Sequence, residues 1–287
     1  MSENEFGEHE LHSEKLGMIK VVDRVCPSCQ TVNEEVPPGP YSYDCWPVIE
    51  CSSCGFVYIT KGPVYDELSQ NLAWEMTSQL ENDRRAKLRK TFYKASKLSR
   101  WRLHIFPRKK ITDMIERFSA PGPVVDVGCG TGCQLSDLPP DYIPWGIEIS
   151  EQLAADAQEL FSQKGGECVR APALDGLQQL QDDHYTAISM RSYLEHEARP
   201  LEVLVHSYRI LKAGGVVIVK VPNFASLNRR LTGKKWVGFR YPDHLNYFTP
   251  KSLKTMAKKA GFEEVFFGLT YCLPTSDNFY AILKKSG

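Results

Sequence analysis

The segment Val124-Val125-Asp126-Val127-Gly128-Cys129-Gly130-Thr131-Gly132 constrains what this chain can fold into more than any other. Three valines around a single acid read as a β-branched, buried strand. The strand runs directly into three closely spaced glycines, which let the backbone turn sharply and let a ligand approach without a Cβ in the way. A helix expected next, over 133–138, would add unpaired N–H groups and a positive dipole end.

From Pro121 onward, apolar runs alternate with amphipathic stretches, the pattern of βα units in a parallel sheet. Strands are expected at 124–127, 143–149, 167–171, 185–190, 215–221, 264–269 and 278–284, with helices over 151–163, 199–212 and 250–260. The last two strands leave no room for a helix between them, so they should pair as an antiparallel hairpin. The fold class is therefore α/β: a seven-stranded, doubly wound, Rossmann-like sheet with an antiparallel last strand, occupying residues 120–287.

A chain of 287 residues holds one such domain and a small appendage. Its 35 Lys and Arg balance 35 Asp and Glu, so no bulk basic field points to nucleic acid. No run nears the roughly 18 apolar residues of a membrane span, and membrane insertion is not expected. Residues 1–19 are polar and acidic, lack the apolar core of a signal peptide, and read as a disordered leader; a cytoplasmic location follows. In that setting nine cysteines argue for reduced thiols or metal ligation rather than disulfides.

Four of the nine fall in two pairs, Cys26-Pro-Ser-Cys29 and Cys51-Ser-Ser-Cys54, with 21 residues between them. Each pair can wrap one face of a metal, and two opposed pairs complete a tetrahedral thiolate shell for Zn2+. Such a shell leaves no open position, so the zinc should be structural, in a ribbon over 20–62. A redox dithiol is the competing reading, and Cys45 lies between the pairs without the paired spacing. Cys129, Cys133, Cys168 and Cys272 read as small packing residues.

Residues 63–119 form an expected helical connector that caps the sheet. Between Arg84 and Arg117 it carries thirteen Lys or Arg against two acids, interleaved with Phe92, Tyr93, Trp101 and Phe106. Amphipathic helices with basic solvent faces account for the pattern; a surface for a phosphorylated substrate or for nucleic acid is the alternative. No pattern specifies an oligomeric state.

Two acids sharpen the glycine loop. Asp126 sits two residues before Gly128, and Glu148 lies 20 residues after it, at the end of the next strand, where a carboxylate would meet ribose hydroxyls. A dinucleotide fingerprint would place its third glycine at Cys133; the spacing here is G-x-G-x-G behind an Asp. That pattern resembles motif I of the class I S-adenosylmethionine-dependent methyltransferases. The resemblance extends to Ser192-Tyr-Leu-Glu195-His196, to Arg209–Gly215 with Val217–Asn223, and to His244-Leu-Asn-Tyr-Phe-Thr249 with Ala260-Gly261-Phe262. The Cys-rich module is similar to the ribbon of bacterial small-molecule members.

The resemblance implies that Asp126, Gly128, Cys129, Gly130 and Gly132 surround the methionine part of S-adenosyl-L-methionine. By the same resemblance Glu148 holds the ribose, and Ile149 and Met190 complete the cofactor set. One departure concerns adenine: many relatives have an Asp in a Gly-Asp-Ala turn, where this chain reads Arg170-Ala171-Pro172-Ala173, so backbone and apolar contacts would hold the base.

Methyl transfer from a sulfonium is an in-line displacement, so the protein must align the acceptor and remove its proton. His196, after the fourth strand, and His244, in the excursion after the fifth, are the candidate bases. Tyr193, Glu195, Tyr241 and Asp243 could orient them, and Trp236 is either a stacking wall or a packing anchor. The expected function is O-methylation of a small molecule: a saccharide, a lipid-linked compound or a phenol. RNA methylation through the ribbon and basic helices is the alternative, as is a cofactor-binding scaffold without catalysis.

Overall fold

The computed structural model describes residues 9–13, 17–64, 110–268 and 272–287. Residues 65–109 of the connector, with Phe92, Tyr93, Trp101, Phe106 and most of its basic side chains, lie outside the described residues, as does the end of the strand expected over 264–269.

The amino-terminal module is built from five short strands: β1 (His9–Ser13), β2 (Gly17–Asp23), β3 (Val48–Glu50), β4 (Val57–Ile59) and β5 (Lys61–Pro63). Strands β1, β2 and β5 form one antiparallel sheet. This corrects the disordered leader expected over 1–19. His9–Ser13 pairs residue by residue with Gly17–Val21, and Ser13, Ile19 and Val21 are buried. The inward-facing residues alternate with Glu10, His12 and Lys20, so charge masks the period-two pattern in the sequence.

Helix α1 (Ile111–Phe118) leads into the large sheet. Its strands are β6 (Gly122–Val127), β7 (Tyr142–Glu148), β8 (Cys168–Arg170), β9 (Tyr185–Arg191), β10 (Leu211–Pro222), β12 (Glu264–Phe266) and β13 (Asn278–Lys284), with the two-residue β11 (Asn246–Tyr247) outside it. The order is β12-β13-β10-β9-β6-β7-β8, with β13 antiparallel to both neighbours. All seven expected strands are present in this mixed sheet, including the closing antiparallel pair.

Helices α2 (Glu151–Ser162), α3 (Ala173–Gln179), α4 (Pro200–Ile210), α5 (Leu227–Thr232) and α6 (Pro250–Lys259) complete the chain. Their starts are chemically marked. Ser150 Oγ accepts from Leu153 N–H at α2, Pro200 opens α4, and Thr249 caps α6 with Pro250 next in line. α1 and α2 pack on one face of the sheet around Met114, Ile115, Ala157 and Phe161. α3, α4 and α6 cover the other with Leu177, Val203, Leu204, Met256 and Ala257. The sheet is thus doubly wound.

No helix forms over 133–138. After Gly132 the chain makes successive turns, with Leu135 N–H bonded to Gly132 O and Leu138 N–H to Leu135 O. Pro139 and Pro140 close the stretch, and six residues fall short of a stable helical nucleus.

The Cys-rich module docks through backbone pairing. β11 pairs with β4, Asn246 opposite Tyr58 and Tyr247 opposite Val57. Arg24 locks the junction: Nη1 donates to Ile59 O at 2.8 Å and Leu245 O at 3.3 Å, and Nη2 donates to Ala198 O and Asn246 Oδ1 at 3.0 Å each. Asn246 Nδ2 donates onward to Leu194 O and Glu197 O. Beside it an aromatic cluster of Trp46, Phe224, Trp236, Phe239 and Tyr247 closes the seam.

Among the described residues no helix is long and apolar enough to cross a membrane. Replacing Arg24 with Met removes the donors while keeping most of the side-chain volume. It should destabilise the chain by about 2–4 kcal/mol, since several half-buried acceptors lose a charged partner together. Urea unfolding with linear extrapolation measures the loss, and Arg24→Lys should recover only a fraction of it, because an ammonium cannot span the same fork.

Candidate active site

Chain order reverses between β6 and β9: from β6 the chain moves outward through β7 and β8, then returns to β9 on the other side. In an open α/β sheet, ligands bind beyond the carboxyl ends of the strands at such a point. The two loops flanking it are the glycine loop after β6 and residues 192–197 after β9.

The glycine loop is forced into shape. Gly128, Gly130 and Gly132 all have positive φ, at 71°, 56° and 76°. A Cβ on Gly128 would stand 2.7 Å from the Tyr193 ring, and one on Gly132 2.8 Å from Phe161. Gly128 and Cys129 N–H both bond to Ile147 O, holding the loop against β7. Cys129 is buried, with its Sγ 3.7 Å from that of Cys168.

Asp126 is 1% exposed, and neither carboxylate oxygen makes a hydrogen bond of normal geometry; nor does the hydroxyl of Ser189, its partner on β9. Burial pushes the Asp126 carboxyl up to about 7, with Ser189 and the Arg191 charge offsetting part of the rise. An unpaired buried acid at a switch point fits a cationic ligand, and S-adenosylmethionine carries an ammonium and a sulfonium.

Glu148 is held differently: Oε2 accepts from Gly130 N–H at 2.9 Å and Oε1 from Ser150 N–H at 3.0 Å. It links the glycine loop to the cap of α2, and each oxygen keeps lone pairs for a diol. Ile149 follows β7, half-buried, whereas Met190 is fully buried within β9 and belongs to the core.

His196 and His244 come together. Their rings meet edge to face with centroids 4.8 Å apart. His244 is buried, and its Nδ1 lies 2.8 Å from Gly238 O; a carbonyl only accepts, so Nδ1 carries the proton. Burial, then the Arg240 charge, pull His196 down to about 4, with an opposing contact to the Asp243 backbone. Beside them Glu195 is 1% exposed, its Oε2 has no partner, and burial raises its carboxyl to about 8. Trp236 resolves as a packing anchor: it is 2% exposed, with Nε1 donating to Asp277 Oδ1 at 2.7 Å.

Three groups around this site escape sequence reasoning. Arg24 and Asn246 are 222 positions apart, and nothing local marks their contact. Arg240 pairs with Asp243 at 3.1 Å, a three-residue spacing too common in sequences to notice.

The four paired cysteines converge within the module, their sulfurs within 4.8 Å of one another. Cys26 and Cys54 sulfurs are 3.5 Å apart, and Cys29 and Cys51 sulfurs 3.6 Å. Zn–S bonds of about 2.3 Å in a tetrahedron put sulfurs about 3.8 Å apart, so the cluster fits zinc without rearrangement. The two knuckles match: Gln30 N–H bonds Cys26 O and Gly55 N–H bonds Cys51 O, and Gln30 and Gly55 share a positive φ.

Fold and loop together define a class, the sheet enzymes that bind a nucleoside cofactor at the switch point. The particular family follows from comparison. A family model described as a methyltransferase domain matches residues 100–265, more than half of the chain, and the chain belongs to that family of class I S-adenosylmethionine-dependent enzymes. An uncharacterized protein of Methanocaldococcus jannaschii is 22% identical over 157 residues, 55% of this chain and 72% of that one. Among solved structures, a SAM-dependent methyltransferase from Archaeoglobus fulgidus is similar at 20% identity over 61% of this chain and 93% of its own, with a TM-score of 0.46. The CcbJ methyltransferase from Streptomyces caelestis is similar at 17% identity, over 62% and 89%, with a TM-score of 0.49.

The Asp126 environment sets a pH signature for cofactor binding. Below about pH 7 the free enzyme holds a proton there, and a cation binding beside the carboxylate must expel it. Affinity for S-adenosylmethionine should therefore rise with pH, by up to about tenfold per unit below 7, and level off above. Calorimetric titrations in buffers of different ionisation heat should show proton release near pH 7, and Asp126→Asn should abolish it.

Proposed function

We propose that this methyltransferase methylates an oxygen of a small-molecule acceptor held at the carboxyl edge of the sheet, with His196 and His244 taking part in removal of the acceptor's proton. The observation that carries the reading is the meeting of these two imidazoles beside the loop after β9, whose Tyr193 rests on Gly128 of the glycine loop. Asp126 would face the cofactor's cationic groups, Glu148 its ribose, and the loop glycines with Cys129 its amino-acid part. Ile149 would contact the adenine, and Met190 would support the floor of the site from the core.

The cofactor supplies an electrophilic methyl group. The protein's share is to fix the acceptor oxygen in line with it and to accept the proton. His196, held near 4 by burial and Arg240, stays neutral through the physiological range and is able to accept a proton without first losing one. Supporting the small-molecule reading over RNA is the burial around the histidine pair, with Glu195 1% and His244 5% exposed, which suits an acceptor small enough to enter a recess. Most of the basic connector on which the RNA reading rests, residues 65–109, lies outside the described residues.

Cys26, Cys29, Cys51 and Cys54 would hold one structural zinc, with residues 20–62 as a ribbon that includes the β2 edge of the leading hairpin, 63–119 as connector and 120–287 as transferase domain. The ion would lock β3 and β4, and through β4 the acceptor-side strand β11.

Two measurements test this. Purified protein should contain one tightly held zinc by elemental analysis, and stripping it should lower Tm by several degrees. A radiolabelled methyl donor incubated with metabolite extracts should label a small molecule. With that product, His196→Asn and His244→Asn should each lower kcat about 100-fold while the cofactor Kd stays within about twofold. Unchanged turnover in both variants would refute the acid–base assignment.

A further inference from the structure

We propose that Glu195, His196 and His244 form a binding site for a divalent first-row transition-metal ion, separate from the four-thiolate cluster. One side-chain ligand atom from each of the three lies within 4.8 Å of the others. Atoms sharing an ion at bonds of about 2.1 Å lie about 3–4 Å apart, so closing the shell takes a shift of about an ångström. Two separate segments contribute: Glu195 and His196 follow β9, and His244 precedes β11.

Two of the three ligands are prepared. The Glu195 carboxyl group is 1% exposed with Oε2 lacking a hydrogen-bond partner, a costly arrangement for a buried polar atom. His244 donates Nδ1–H to Gly238 O, which in the neutral ring leaves the lone pair on Nε2. A backbone carbonyl orienting an imidazole from behind is the usual support of a metal-ligating histidine. Two imidazoles and one carboxylate suit Mn2+, Fe2+, Co2+ or Zn2+ and leave coordination positions open.

Two cations face the cluster. Arg240 is paired with Asp243, which absorbs much of its charge at this range, and Lys220 points its Nζ to Ser192 Oγ at 3.3 Å.

The functional consequence rests on the acceptor reading above, whereas binding of the ion does not; with the ion bound, His196 and His244 act as its ligands in place of the base role given to them there. An acceptor hydroxyl entering an open position would lose its proton to solvent more readily. Its oxygen would then bond the methyl carbon as the carbon–sulfur bond breaks, the electron pair remaining on sulfur. Acceptors with two adjacent oxygens, able to chelate, are the favoured class.

The test uses the full chain with its zinc in place and Mn2+ as probe, because manganese does not compete for thiolates. Electron paramagnetic resonance titration should show one saturable Mn2+ site in the absence of acceptor. Glu195→Gln and His244→Gln should each weaken it at least tenfold while S-adenosylhomocysteine affinity, read as the check on folding, stays within about threefold. Absence of saturable binding up to about 1 mM Mn2+, or unchanged affinity in both variants, would overturn the proposal. Either result would leave the methyl-transfer reading to its own kinetic test.

Discussion

Strand β11 is two residues long, and the placement of His244 beside the loop after β9 depends on what holds it. Two residues cannot sustain a strand alone. β11 borrows its partner from the Cys-rich module through β4, and the Arg24 guanidinium and Asn246 amide tie the junction to the loop after β9. One guanidinium therefore restrains the carbonyls of Ala198 and Leu245, which lie two residues beyond His196 and one beyond His244. The module acts as a brace rather than an appendage. The second cysteine knuckle, Cys51–Cys54, forms the turn that joins β3 to β4.

The large sheet alone would place Asp126 and Ser189, since both sit in regular parallel pairing. It would not place His244, which lies in a long excursion between β10 and β11. That excursion is ordered by aromatic packing, Phe224, Trp236, Phe239 and Tyr247 against Tyr41 and Trp46 of the module. Arg229 adds to the seam, its guanidinium 4.3 Å from the Phe224 ring centroid and donating to Tyr41 Oη at 2.7 Å. A surface of this kind gains its stability from shape and desolvation together, and it fixes the excursion that carries His244.

These dependencies explain which features the sequence reveals. The seven strands of the sheet are readable because each is an unbroken apolar run or an alternation with few exceptions, as in Val216–Val219 and Phe279–Leu283. The glycine loop and the cysteine knuckles are readable because a left-handed backbone or a tetrahedral shell demands particular residues at fixed spacing. The β1–β2 hairpin is hidden because its outward positions carry Glu10, His12 and Lys20 and its inward ones are few. The Arg24 junction is hidden because it couples segments with no sequence proximity. The turn series after Gly132 is misread because its Leu135 and Leu138 have helical spacing, yet Pro139 and Pro140 stop the run before a helix can nucleate.

That last difference bears on the choice of cofactor. A dinucleotide site draws its pyrophosphate with the N-terminal end of the helix that follows the glycine loop. Here the loop passes into turns, and the charges beside it are the buried carboxyl of Asp126 and the carboxylate of Glu148. Two acids stand beside the loop, and Glu148 already occupies the nearest helix amino end through Ser150 N–H, so the surroundings disfavour a phosphate and favour a positively charged ligand. Glu148 spends two hydrogen bonds on loop and cap N–H groups that a phosphate would otherwise occupy. A glycine loop is chemically neutral until its surroundings assign it a charge preference, and these surroundings select a sulfonium.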